Sequence, residues 1–298
     1  MSKALDDWWN VSQSKVRSKK GKNIHGGSVK LNSLSSKQTP KGRLVSAMKR
    51  TPEAMLKARR GGKNLSKIKA NFDYISRNGK LEVEDEHGNV YLGKADVNEL
   101  KSNWKNEGYR IPDNGERRAE AFNLILSMPA GTDRESVKNA SREFAKSVFN
   151  GHQYVFVSHE DEPHPHVHLA VKMVNKEGIR MNPRKSDLQT WREIFVDKLN
   201  EQGIEANATP RHIRGVVKKS RKQAIKHIPD DKRIINDEQS AKKNKSVINA
   251  EAQYAVLAKE LVKGNEEDKK LALNIVQFVK SWQGEPNKNI EKQRNSNN

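Results

Sequence analysis

Apolar residues recur at helical spacing in the first part of the central region. Four of them fall on one predicted helix face: Leu65, Ile68, Phe72 and Ile75. This pattern predicts a helix that ends near the Asn78-Gly79 pair, which is a typical chain break. Before it, the segment 53–62 predicts a short strand that ends at Gly61 and Gly62. Residues 80–118 are charged and show no such pattern, and we expect irregular structure there.

The second part of this region alternates predicted strands with predicted helices. The apolar run 121–129 predicts a buried strand, and the runs 154–161 and 166–174 predict two strands joined by a proline-containing turn. Helical stripes predict helices over 133–149 and 186–202, the second ended by Gly203. Further helices are expected over roughly 246–263 and 267–282.

Composition divides the chain of 298 residues into three predicted regions. Only 34% of residues are hydrophobic and 32% are charged, so the core must be concentrated in the middle. Residues 1–50 hold twelve Lys or Arg and two Asp, a composition that cannot order itself alone, and we expect a flexible basic arm or a solubilising tail. Residues 51–214 are the predicted catalytic domain, and 215–298 a basic region that is helical or disordered.

The net charge of +20 favours a polyanionic partner such as nucleic acid or an anionic membrane. No apolar stretch is long enough to span a bilayer, and the first residues lack the pattern of a signal peptide, so we expect a soluble, cytoplasmic protein. The chain has no cysteine, which excludes disulfides, thiolate metal sites and a cysteine nucleophile.

Four of the nine histidines lie within residues 159–168. His166 and His168 are two residues apart on a predicted strand and therefore share one face. His159 ends the preceding strand, so the turn can bring it against them. Three neutral imidazoles bind a divalent cation and leave positions open for substrate oxygens. The alternatives are His164 as third ligand, an exposed His-rich hairpin and an adventitious metal site.

Asp161 lies in the same turn, where its carboxylate could accept the second ring N–H of a metal ligand and fix the tautomer. A solvated turn residue is the alternative interpretation.

Three motifs occur in the order found in the relaxases, the mobilisation nucleases of conjugative plasmids. They are YISRNGKLE at 74–82, LILSMPAGTDRESV at 124–137 and a His-x-Asp-x-x-His-Pro-His-x-His motif that begins at His159. The chain resembles this family over about 52–214. It is especially similar to the agrobacterial member that nicks transferred DNA. It departs from the family in having some 50 residues before the first motif.

The resemblance implies an α+β fold of the His-hydrophobe-His endonuclease type, with a central, mainly antiparallel sheet and flanking helices. It implies that Tyr74 attacks a phosphodiester and forms a 5′-phosphotyrosine intermediate, with Mg²⁺ or Mn²⁺ on the histidines and Ser127 near the DNA. A free tyrosine has a pKa of about 10, so either the metal or a carboxylate such as Asp161 must favour deprotonation.

Strand-specific attack requires single-stranded DNA, which basic side chains would hold. The candidates for phosphate contact are Arg77, Lys80, Arg184 and Arg211. The resemblance further implies transfer-origin DNA, relaxosome accessory proteins and a type IV coupling protein as partners, and passage to the recipient with the DNA. The rival interpretations are a replication initiator or transposase of the same nuclease class, a hydrolase that uses water, and a non-catalytic DNA-binding accessory protein.

Overall fold

The computed structural model describes residues 2–13, 37, 39–111, 118–216 and 245–282. Their contacts divide the chain into two compact units. One, here the sheet unit, contains the described residues of 37–39 and 50–208. The other, the helical unit, contains those of 2–13, 40–49 and 209–282.

The sheet unit is built on six strands, and every strand pairing is antiparallel. The strands are β1 (Met55–Arg60), β2 (Val83–Asp85), β3 (Val90–Tyr91), β4 (Ala121–Ser127), β5 (Tyr154–His159) and β6 (His166–Lys172). Their order is β1-β4-β6-β5-β2-β3, so the two strands that carry the histidines are central neighbours. The expected α+β class with a central antiparallel sheet is confirmed.

Helices cover both faces of this sheet. They are α3 (Leu65–Ile75), α4 (Gly93–Asn106), α5 (Arg134–Val148) and α6 (Lys185–Glu201). Side chains of α3 and α4 pack with Val155, Val157 and Ala170 on one face. Side chains of α5 and α6 pack with alternate residues of the same strands, such as Phe156 and Leu169, on the other. This alternation gives the central strands β5 and β6 two buried faces over much of their length.

The expectation of irregular structure over 80–118 was wrong. Strands β2 and β3 and the helix α4 lie in this segment. Both strands are too short to show a period, and α4 begins after Leu92 without a side-chain cap. The apolar stripe of α4 is narrow because the segment is highly charged. Lys101 occupies one of its buried positions and forms an ion pair with Asp73. Residues 112–117 lie outside the described part.

The helical unit contains α1 (Ser2–Gln13), α2 (Pro40–Met48), a 3₁₀ turn at Arg211–Arg214, α7 (Lys245–Val262) and α8 (Glu266–Ser281). The last two match the helices expected near the C-terminus. Leu5, Trp8 and Leu44 are buried in one core with residues of α7 and α8. The two ends of the 1–50 segment are therefore packed helices, in contrast to the expected arm, while residues 14–36 and 38 lie outside the described part. No helix in the described ranges is long and apolar enough to cross a membrane.

Candidate metal and tyrosine site

Strand register brings three of the four clustered histidines together. The β5–β6 pairing sets His159 opposite His166, and His168 follows two residues later on the same face. The ring centroids lie 4.3 Å apart for His159 and His168, 5.1 Å for His159 and His166, and 5.3 Å for His166 and His168. One nitrogen of each ring lies within 4.8 Å of the others. These three side chains can thus share one metal ion.

Backbone carbonyls orient two of the three rings. Nε2 of His159 is 2.7 Å from the carbonyl oxygen of Ile75, and Nδ1 of His166 is 3.0 Å from that of His164. A carbonyl oxygen only accepts, so each of these nitrogens carries the hydrogen. The opposite nitrogens, Nδ1 of His159 and Nε2 of His166, therefore present lone pairs to a metal. His164 contributes its carbonyl, and its side chain is exposed.

The surroundings favour the neutral form of His159 and His168. Burial lowers the pKa of His168 to about 3, and the neighbouring His159 and His166 add to this effect. Burial also lowers the pKa of His159, which is 1% exposed. A neutral imidazole is the form that binds a metal. The donor set therefore fits a divalent ion.

Tyr74 lies beside the histidines at the C-terminal end of α3. Its ring centroid is 6.1 Å from that of His168 at an interplanar angle of 82°, and the residue is 59% exposed. The next residue, Ile75, provides the carbonyl that orients His159. One helix end therefore positions both the tyrosine and the ring of His159. An exposed phenol next to a metal site is accessible to a substrate.

Arg77 turns back toward the site because the chain after α3 adopts left-handed backbone conformations. Arg77, Asn78 and Gly79 have φ values of 53°, 58° and 84°. The Arg77 guanidinium carbon is 5.4 Å from the centre of the Tyr74 ring. Its Nη2 is 3.4 Å from Nδ1 of His159, the nitrogen that a metal would need. The predicted phosphate contact Arg77 thus lies within the site itself.

Asp161 pairs with Arg77 through a contact of 2.5 Å between Oδ2 and Nη2. Its other carboxylate oxygen is 3.8 Å from Nδ1 of His159. The second ring N–H of His159 is bound by Ile75, which differs from the role expected for Asp161. The hydrogen bond from Arg77 lowers the pKa of Asp161 below its ordinary value, so this carboxylate is a poor proton acceptor.

Arg134, a residue that the sequence analysis missed, holds the turn that carries Asp161. Its Nη1 donates to the carbonyl of His159 at 3.1 Å and its Nη2 to that of Glu162 at 2.5 Å. Arg134 is the first residue of α5, directly after the Asp133 cap. The only available signal was this position, immediately after the SMPAGT segment. Arg134 contacts backbone atoms, which no side-chain pattern reveals.

The remaining candidates lie at different distances from the histidines. Ser127 is half-buried and directly opposite His166 in the β4–β6 register, so it borders the site. Lys80 is exposed on the loop after α3. Arg184 precedes α6, which packs on the opposite face of the sheet. Arg211 belongs to the helical unit. The structure thus places Ser127 and Arg77 at the site and does not place Arg184 there.

The segment that carries the site is similar to known proteins. Residues 74–204 match the model described as relaxase, MobA/VirD2-like, nuclease domain. Curated relatives include the T-DNA border endonuclease VirD2 of Rhizobium radiobacter, 28% identical over 176 residues that cover 53% of this chain and 42% of the relative. VirD2 of Agrobacterium fabrum is 27% identical, with 53% and 39% covered. The chain spans about two fifths of the length of these relatives.

A solved structure from work on the molecular basis of vancomycin resistance transfer in Staphylococcus aureus is also similar. The sequence identity is 17%, and the match covers 53% of this chain and 99% of that chain with a TM-score of 0.33. The matched family segment includes Tyr74 and all three histidines.

Proposed function

We propose that the chain nicks one strand of DNA at a plasmid transfer origin through a covalent bond to Tyr74, because residues 74–204 match the model of a relaxase nuclease domain. The supporting observation is an exposed tyrosine whose ring lies 6.1 Å from one of three clustered imidazoles. The relatives named VirD2 are border endonucleases. The substrate would be single-stranded DNA, delivered with relaxosome proteins and a type IV coupling protein.

The proposed reaction is a transesterification. The Tyr74 oxygen forms a bond to the scissile phosphorus as the bond to the DNA 3′-oxygen breaks, which leaves a 5′-phosphotyrosine and a free 3′-hydroxyl. The number of phosphate ester bonds is unchanged, because one forms as the other breaks. The phenol loses a proton and the leaving 3′-oxygen gains one. The reverse reaction rejoins the strand.

The three histidines would hold the metal, with Ile75 and His164 fixing the rings of His159 and His166 through their carbonyls. When bound, such a metal polarises a phosphate oxygen and offsets the charge that develops as the phosphorus is attacked. The fit rests on three nitrogen donors within 4.8 Å of one another.

Arg77 would stabilise negative charge next to Tyr74. Its guanidinium lies near the tyrosine ring and is tied to Asp161. A cation in this position can bind a phosphate oxygen and offset negative charge that develops there. Because the pKa of Asp161 is lowered by the same ion pair, we assign Asp161 the role of orienting Arg77 rather than that of the general base.

Adduct formation tests this proposal. The protein is incubated with labelled single-stranded oligonucleotides from the cognate transfer origin and Mn²⁺ or Mg²⁺, and the products are separated on a denaturing gel. We expect a covalent protein–DNA band that Tyr74→Phe abolishes. Tyr109→Phe is the matched control, because Tyr109 is similarly exposed at 50% but lies outside the site. An adduct that survives Tyr74→Phe, or cleavage without any adduct, would contradict the tyrosine mechanism.

A further inference from the structure

The sheet face that carries the histidines continues across β4 to the edge strand β1. In the β1–β4 and β4–β6 registers, Lys57 lies opposite Ile125, and Ile125 lies opposite His168. Arg59 lies opposite Asn123 in the neighbouring row. Directly opposed residues of antiparallel strands have their side chains on the same face. Lys57 and Arg59 therefore point to the face on which the metal site lies.

Burial of the alternate residues of β1 supports this orientation. Leu56 is buried and Ala58 is packed against the core formed with α5 and α6, on the opposite face. Lys57 and Arg59 are exposed. With neighbouring strands about 4.8 Å apart, the backbone at Lys57 is two strands, or about 10 Å, from that at His168. The two cations lie within a few nucleotides of the site.

The helices on this face leave its β1 side open. Over β5 and β6, Val157 and Ala170 are buried beneath α3. On β4, Asn123 donates to Asn71 of α3, but Ile125 is only half-buried, and on β1 Met55 is 40% exposed. An uncovered strip therefore leads from the histidines to the edge of the sheet.

We propose that this strip, defined by Lys57 and Arg59 of β1, binds the phosphate backbone of the single DNA strand that enters the active site. Neither residue forms an ion pair with an acidic side chain in the described ranges, so both charges are available to a polyanion. Lys and Arg contacts to phosphates supply affinity without sequence preference. The strip adds two phosphate contacts, at Lys57 and Arg59, to the substrate site. Its role as part of a nicking enzyme rests on the proposed function.

Arg60 provides a matched control on the same strand. It is exposed and adjacent to Arg59, but it lies opposite Phe122, whose side chain packs into the core on the other face. Removing Arg59 or Arg60 changes the net charge of the protein equally. The two variants differ only in the face of the sheet from which the charge is removed.

The first test measures binding of a fluorescein-labelled homothymidine oligonucleotide by anisotropy in the presence of EDTA. We expect Lys57→Ala with Arg59→Ala to weaken binding about tenfold and to reduce the salt slope by about 1.4, at about 0.7 for each lost phosphate contact. Arg60→Ala should change Kd less than about twofold. Equal effects of Arg59→Ala and Arg60→Ala would overturn the proposal, because net charge alone would then explain binding.

The second test uses the absence of cysteine from the chain. A single cysteine at position 59 or 60 is the only thiol for an oligonucleotide that carries a thiol-reactive group on its backbone. Arg59→Cys should cross-link in high yield and Arg60→Cys in low yield, and the reverse order would overturn the proposal. Neither test involves bond breaking or metal. Failure of the tyrosine mechanism would therefore leave both results unchanged and can be recognised separately.

Discussion

At the scale of single residues, the histidines of the cluster differ in what they offer a metal. His166 presents a side-chain nitrogen, whereas His164 contributes a carbonyl and has an exposed side chain. His166→Ala should weaken Mn²⁺ binding more than about 100-fold, because loss of a ligand exceeds the 10–100-fold typical of a supporting residue. His164→Ala should change the affinity only slightly, since the carbonyl remains.

Titration calorimetry of the two variants checks this expectation. Both variants remove an imidazole, and the two positions are only two residues apart. A general disturbance of this segment would therefore affect both variants. Equal loss of affinity in His164→Ala would show that its imidazole is a ligand and would exclude the assignment made from ring orientation.

The residues of the site could be predicted only in part, and the division has a physical cause. The histidines were found because alternation on a strand fixes which side chains share a face. The Asp161–Arg77 pair depends on left-handed backbone at 77–79. The hydrogen bonds that hold His159 involve carbonyl oxygens: its own, which accepts from Arg134, and that of Ile75, which accepts from its ring. Backbone acceptors occur at every residue, so the sequence does not indicate which of them a side chain will reach.

At the scale of elements, the turn after α3 sets the position of the tyrosine and Arg77. Ser76 is fully buried, and its hydroxyl accepts from the backbone N–H of Gly79 at 3.1 Å. Gly79 has φ 84°, and a Cβ there would lie 2.6 Å from the carbonyl carbon of Gly93. Backbone atoms cannot move aside as a flexible side chain can. Gly79 is therefore required for two separate reasons.

Gly79→Ala and Gly88→Ala separate these two reasons. Gly88 has the same φ of 84°, but a Cβ there would meet nothing within 4 Å. We expect Gly88→Ala to cost only the left-handed strain of about 1–2 kcal/mol, and Gly79→Ala to cost at least about 1 kcal/mol more in the free energy of unfolding in urea. Only Gly79→Ala should also slow adduct formation. Equal destabilisation by both would contradict the close approach of Gly93.

Secondary structure was predictable where an element is long and has a clear period. Helix α5 was recognised from its apolar stripe, and β4 from a compact apolar run. Helix α4 was missed because it starts without a side-chain cap and carries charged residues on most of its surface. Packing of Trp104 against Phe72, with ring centroids 4.7 Å apart, stabilises it instead. A contact between residues so distant in sequence has no local signal.

At the scale of the whole molecule, the two ends of the chain form one core. Trp8 near the N-terminus lies 5.3 Å from Tyr254 of α7 between ring centroids, and the Tyr254 hydroxyl donates to the carbonyl of Ile213 at 3.0 Å. Composition alone indicated that residues 1–50 could not bury enough apolar surface. That inference neglected the apolar faces of α7 and α8, which supply the missing surface. Pairing across more than 200 positions cannot be deduced from either segment.

Division into two units, with the three clustered histidines confined to the sheet unit, predicts selective stabilisation by metal. Calorimetric unfolding should show two transitions, since separate units need not unfold together. Mn²⁺ at about 100 times its Kd should stabilise the sheet unit by about 2.7 kcal/mol, which raises one transition by roughly 5–10 °C and leaves the other in place. His166→Ala should remove the shift. Movement of both transitions together would show that the units unfold cooperatively, so that binding at the histidines stabilises the helical core as well.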